Sequence, residues 1–175
     1  MMFPLPRVLR CGLTTVGAAT TLACLAAPPT ATANADDGSL NGRYIATSNG
    51  DWAMTNDQYR NETSVRSTWT ISSSCANPTD CVGTLTSDRG WTADIYKKAG
   101  MWYVRHAVPD WQPCPDGTAV DGLQLFTFYA GDPLTGQQLP GSDTYLGDDI
   151  TTSASGACGI NKQLVVQMPF KMVAA

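Results

Sequence analysis

Apolar and polar positions alternate with a period of two along most of this chain. Val65, Trp69 and Ile71 fall on one side of a run, and Arg66, Thr68, Thr70 and Ser72 on the other. Trp91, Ala93 and Ile95 repeat the pattern, as do Trp102, Val104, His106 and Val108. Leu164, Val166, Met168, Phe170 and Met172 give the cleanest example, and Pro169 within it predicts an edge or a bulge. A period of two marks strands with one covered face. Residues 42–48, 82–87, 123–130 and 143–153 complete about eight strands, and residues 52–54 read as a short continuation of the first. The 123–130 run is apolar on both sides, so a central place is expected for it. Asn49-Gly50-Asp51, Asp88-Arg89-Gly90 and Lys98-Ala99-Gly100 carry turn signals. Residues 55–64, 109–122 and 131–142 read as turns or loops. No helical period is sustained beyond residue 35.

The fold class that follows is all-β. Sequential hairpins with few long crossovers favour an antiparallel up-and-down barrel, lipocalin-like in architecture, over a β-sandwich as the second choice. Closure into a barrel also removes the exposed strand edges.

The first 35 residues break this pattern. Arg7 and Arg10 precede an apolar run from Cys11 to Ala27, followed by Pro28-Pro29 and a small-residue stretch ending Ala33-Asn34-Ala35. That order is the layout of a secretory signal peptide, with cleavage after Ala35. The run is short of the roughly 20 residues a membrane span needs, and the proline pair breaks it. A single secreted β domain, 36–175, is therefore expected, outside the cell or in its envelope. It would keep 9 of the 11 basic residues and all 15 acidic ones. Such a surface does not attract nucleic acid.

Four of the six cysteines lie in that domain: Cys75, Cys81, Cys114 and Cys158. An even count behind an export signal predicts two disulfides. Of the three pairings, Cys75–Cys81 and Cys114–Cys158 suit the strand order, because the first joins two adjacent strands and the second ties the loop around Cys114 to the turn before the last strand. Neither a CxxC pair nor ligand histidines are present, so no metal or other cofactor is expected.

Candidate chemistry is sparse. His106 is the only histidine. Its plain reading is a hydrogen-bonded residue near the core, and its functional reading a cavity contact or a general base. The chain has no GxSxG elbow. Asp148 and Asp149 are adjacent, so one at most faces inward. Asp88 and Asp94 flank Trp91 and form the other carboxylate pair to consider. The five tryptophans are the stronger lead, since inward aromatics either fill a barrel or line a cavity in it. The candidate ligand-contacting set is Trp69, Trp102, Tyr103, His106 and Trp111, the last in a proline-rich loop.

The runs Tyr44-Ile45-Ala46-Thr47-Ser48-Asn49-Gly50-Asp51-Trp52, Ser67-Thr68-Trp69-Thr70-Ile71 and Ser87-Asp88-Arg89-Gly90-Trp91 resemble those of small exported actinobacterial, mainly mycobacterial, proteins of unassigned function. Related domains form extracellular parts of some mycobacterial serine/threonine kinases. The resemblance implies an exported β domain with a sensing or binding role, and it brings no catalytic residues. The expected function is non-enzymatic binding of a small apolar or amphiphilic ligand or of a cell-envelope partner. The alternatives are a secreted hydrolase using His106 or a carboxylate pair, and a structural envelope protein without a ligand.

Overall fold

A computed structural model describes residues 38–175. The expected signal segment, 1–35, lies outside the described residues. Ten strands form one antiparallel sheet: β1 (Asn41–Ser48), β2 (Met54–Thr55), β3 (Gln58–Tyr59), β4 (Val65–Asn77), β5 (Asp80–Ser87), β6 (Thr92–Lys98), β7 (Met101–Pro113), β8 (Ala119–Ala130), β9 (Thr144–Ser153) and β10 (Val165–Ala174). From β4 to β10 each strand pairs with the next in sequence. β1 then pairs with β4 on one side and β10 on the other, which closes an eight-stranded barrel. The barrel is the architecture the alternation predicts, and the sandwich is not formed. β2 and β3 make a small hairpin outside the cylinder, attached to β10.

Turn chemistry sets the registers. Lys98 pairs with Met101, which leaves Ala99 and Gly100 as a two-residue loop, both at positive φ. That is the primed turn whose twist suits a hairpin. Pro78 and Thr79 close β4 onto β5 in the same two-residue length.

Inward positions on β4, β7, β8 and β10 carry the rings that fill the barrel. Trp69 is 1% exposed and meets Phe126 edge-on at 4.9 Å, Phe170 at 5.2 Å and Phe128 at 6.4 Å between ring centroids. Trp102, Leu85, Val104, Ile95 and Met172 are equally buried around them. Burying each such side chain contributes about 1.5–3 kcal/mol. Gly147 lies on the inner face of β9, opposite Phe128 on β8 and Phe170 on β10. A Cβ there would collide with the Thr127 carbonyl. With no side chain between them, the two phenyl rings approach to 5.4 Å.

Several sequence expectations change. Residues 52–54 do not continue the first strand: Gly50–Trp52 form a short helical turn, and β2 begins at Met54 outside the cylinder. β7 does not stop at Val108: it continues to Pro113 through a bulge at residues 109–111, where Asp110 has φ +51. β8 correspondingly starts at Ala119, so the expected 109–122 loop shrinks to a hairpin tip. The 123–130 run is apolar on both sides but buried on one: Leu123 points outward and is 54% exposed. Pro169 sits in an interior strand rather than at an edge. Its carbonyl accepts from Asn49 N at 2.9 Å, so its missing N–H faces the point where β1 leaves β10 and before β2 joins it.

Both disulfides form as expected. Cys75 and Cys81 are directly paired residues of β4 and β5, which run past the cysteines to Asn77 and back from Asp80. Cys114–Cys158 links the β7–β8 hairpin tip to the short helical turn Ala157–Gly159. The sequence separations are 6 and 44 residues. In the chain-entropy account the longer loop stabilises more, about 4 kcal/mol against about 2 kcal/mol. Replacing both cysteines of each pair by serine in turn, and measuring denaturant unfolding, should therefore show the larger loss for Cys114/Cys158. Equal losses, or the reverse order, would count against the assignment of these roles.

Candidate functional site

The two ends of the barrel differ. One is a wide mouth framed by the β4–β5, β6–β7 and β8–β9 connections and the chain entering at Gly38 and Ser39. It holds a cleft of about 410 Å³. Trp102, Tyr129 and Tyr145 supply its aromatic lining, and Pro78, Pro140 and Gly141 belong to the connections around it. Lys97 follows Ile95 on the inward face of β6 and pairs directly with Trp102 of β7. Its ammonium stands 5.6 Å from the Trp102 ring centroid and 3.5 Å from the Gly38 carbonyl oxygen. Burial pushes the Lys97 amine down from its ordinary value. Burial also pushes the Tyr145 phenol up, so it stays neutral. Lys97 is then the one charged side chain among the described residues that line the cleft.

The opposite, narrow end is occupied by a chain of polar side chains. Ser48 donates from Oγ to Asp149 Oδ2 at 2.6 Å, and Gln124 donates from Nε2 to Asp149 Oδ1 at 2.7 Å. Gln124 Oε1 faces His106 Nε2 at 2.6 Å, and His106 Nδ1 faces the Ala107 carbonyl oxygen at 3.0 Å. Both ring nitrogens therefore face oxygens. The imidazole stacks on Trp91, with centroids 3.9 Å apart and planes at 11°. Asp149 is 1% exposed. Burial raises its pKa, opposed first by the Ser48 and Gln124 hydrogen bonds and then by His106. The space beside Asp149 is about 40 Å³, room for a few water molecules and too small for an organic ligand.

The five candidate residues do not converge. Trp69 is packed in the middle of the core, Trp102 faces the wide mouth, and His106 belongs to the narrow end. Trp111 also lies at the narrow end. The bulge turns its ring over the inner face of β8, where a Cβ on Gly122 would meet it at 2.8 Å. Tyr103 points outward and stacks on Tyr96 at 5.1 Å. Trp102 lines the mouth cleft and Trp69 the small space beside Asp149, and neither of these two spaces is lined by all of Trp69, Trp102 and His106. Of the carboxylates, Asp149 faces inward while Asp148 accepts from Gln167 Nε2 at 3.1 Å, and Asp88 and Asp94 are exposed. Among the described residues no three His, Cys, Asp or Glu side chains come together as a metal site, and no helix is long and apolar enough to cross a membrane.

Residues the sequence reading passed over are Lys97 and Gln124. Both interrupt an inward apolar face in phase: Lys97 after Trp91, Ala93 and Ile95, and Gln124 before Phe126 and Phe128. An inward polar residue in an alternating strand is the signal that marks them.

The network makes a prediction. Because the folded-state pKa of Asp149 is raised, its contribution to stability is complete below the ordinary carboxylate value and is lost as pH rises through the folded value. Asp149→Asn should flatten the fall in unfolding free energy between acidic and neutral pH relative to the parent. Asp149→Ala should destabilise by about 2–4 kcal/mol, since Ser48 and Gln124 lose their buried acceptor. Identical pH profiles for the parent and the Asn variant would contradict this account.

No protein family and no curated protein matches the chain. Among solved structures, the fold is similar to the monomer form of the M. tuberculosis PknI sensor domain, with a TM-score of 0.53 and 16% sequence identity. The match covers 78% of this chain and 87% of that one. At this identity the likeness is one of fold: the barrel described above is shared with a sensor domain.

Proposed function

We propose that this chain is an exported binding domain, released by removal of residues 1–35, which takes a small amphiphilic ligand in the wide mouth of its barrel. The observation that carries this reading is the contrast between a filled interior and an open, aromatic-lined cleft of about 410 Å³ above it. That volume falls in the range of small-molecule sites. The lining is mixed, with Trp102 and two tyrosines beside glycine, serine and proline, which suits an amphiphile better than a purely apolar guest. Of the three connections around the cleft, the one between β8 and β9, residues 131–143, is a long loop carried on a rigid scaffold, the usual setting of binding residues. The two disulfides and the fold shared with the PknI sensor domain support an extracellular place and a sensing or binding role.

The hydrolase alternative asks His106 to activate a hydroxyl. Both His106 nitrogens are engaged by Gln124 and a backbone carbonyl, and the nearest serine of the network, Ser48, donates to Asp149 instead. Nothing in that arrangement favours nucleophilic catalysis.

Native mass spectrometry of the oxidised protein from culture medium tests the proposal, alongside a Gln138→Trp variant that fills the cleft from an exposed position. The parent should carry a small-molecule adduct, or bind the neutral fluorophore N-phenyl-1-naphthylamine, and the variant should do neither. A bare parent that binds neither this fluorophore nor its sulfonated analogue 1-anilinonaphthalene-8-sulfonate would overturn it.

A further inference from the structure

We infer that the mouth cleft selects anionic amphiphiles: small molecules with an aromatic or short aliphatic body and one carboxylate, sulfate or phosphate group, the anionic group seated against Lys97. This inference rests on the reading of the cleft as a ligand site and adds the sign and position of the charge.

Three observations converge on it. Among the described residues, the lining contains one cation and no aspartate or glutamate. The cation is not a solvated surface lysine. It occupies an inward register position between Cys81 of β5 and Trp102 of β7, half-buried, where a strand built for a filled barrel would carry an apolar residue. Its contacts are also weak for a partly desolvated ammonium. The Gly38 carbonyl is at 3.5 Å and the Trp102 ring at 5.6 Å, and no carboxylate of the described residues pairs with it. The one ion pair among the described residues, Arg60 with Glu62, lies elsewhere in the β3–β4 connection. An anion entering the cleft would give Lys97 a charge-assisted hydrogen bond in a partly desolvated setting, where such bonds are strongest. The body of the same molecule would lie against Trp102, Tyr129 and Tyr145. The acidic balance of the whole chain, 15 acidic against 11 basic residues, works against general attraction of anions, so selectivity would come from this one position.

Two fluorophores that share a ring system separate the outcomes. One is 1-anilinonaphthalene-8-sulfonate, and the other, N-phenyl-1-naphthylamine, lacks the sulfonate. Each is titrated into the oxidised parent, Lys97→Gln, Lys97→Arg and Gln138→Trp, with near-ultraviolet circular dichroism confirming the fold of every variant. The parent should bind the sulfonate at least about tenfold more tightly than the neutral compound. Lys97→Gln should abolish that preference, Lys97→Arg should retain it, and Gln138→Trp should block binding of both compounds. Equal affinities in the parent, an unaltered sulfonate affinity in Lys97→Gln, or sulfonate binding that survives Gln138→Trp would overturn the inference. If the neutral compound alone binds the parent, the charge selectivity fails and the cleft reading stands. If neither binds, the cleft reading fails as well.

Discussion

Closing eight strands into a cylinder leaves a space that must be filled or left as a cavity, and here aromatic rings fill it. Trp69 occupies the middle, with Phe126, Phe128 and Phe170 around it at centroid distances between 4.9 and 6.4 Å. They come from β4, β8 and β10, strands on different sides of the wall. The cluster therefore does more than bury area. It couples the two strands that flank β1 to the far side of the barrel, and closure of the sheet depends on that coupling. Gly147 belongs to the same device, because a side chain there would hold β8 and β9 apart just where two rings must meet.

A filled interior has a functional consequence. In a lipocalin-like barrel with smaller inward residues a ligand could sit along the axis. In this barrel the axis is closed, and a small molecule is left with the mouth. The narrow end is closed differently, by Ser48, Asp149, Gln124 and His106 bridging β1, β9, β8 and β7, with Trp111 folded over Gly122 beside them. A buried polar chain of this kind contributes little net stability when complete and costs much when one member is removed. It fixes the register of four strands, since a slip of one residue would turn each member outward.

Much of this was legible in the chain itself. The alternation of Leu164 to Met172 and of Val65 to Ile71 predicts those strands in the correct phase, and the short 75–81 spacing predicts a bridge between neighbours. The continuation of β7 past Val108 was hidden, because Pro109 and the positive φ of Asp110 are loop signals that a bulge also uses. Pro169 suggested an edge, since sequence does not show that β1 departs at that residue. Residue type alone marks Trp69, Trp102, Tyr103, His106 and Trp111, and type does not tell a ring in the core from a ring at a mouth. Lys97 and Gln124, which define the two ends, were marked only by standing on the wrong side of an apolar face.

The central claim, a closed aromatic interior with ligand access restricted to one mouth, is tested most directly by nuclear magnetic resonance. Backbone amides and tryptophan indoles of the oxidised protein would be followed during titration with 1-anilinonaphthalene-8-sulfonate. The account predicts shifts at the Trp102 indole and at the amides of Gly100, Gln138 and Gly141, with the Trp69 and Trp91 indoles unmoved. Shifts centred on Trp69, or on Trp91 and His106, would contradict it.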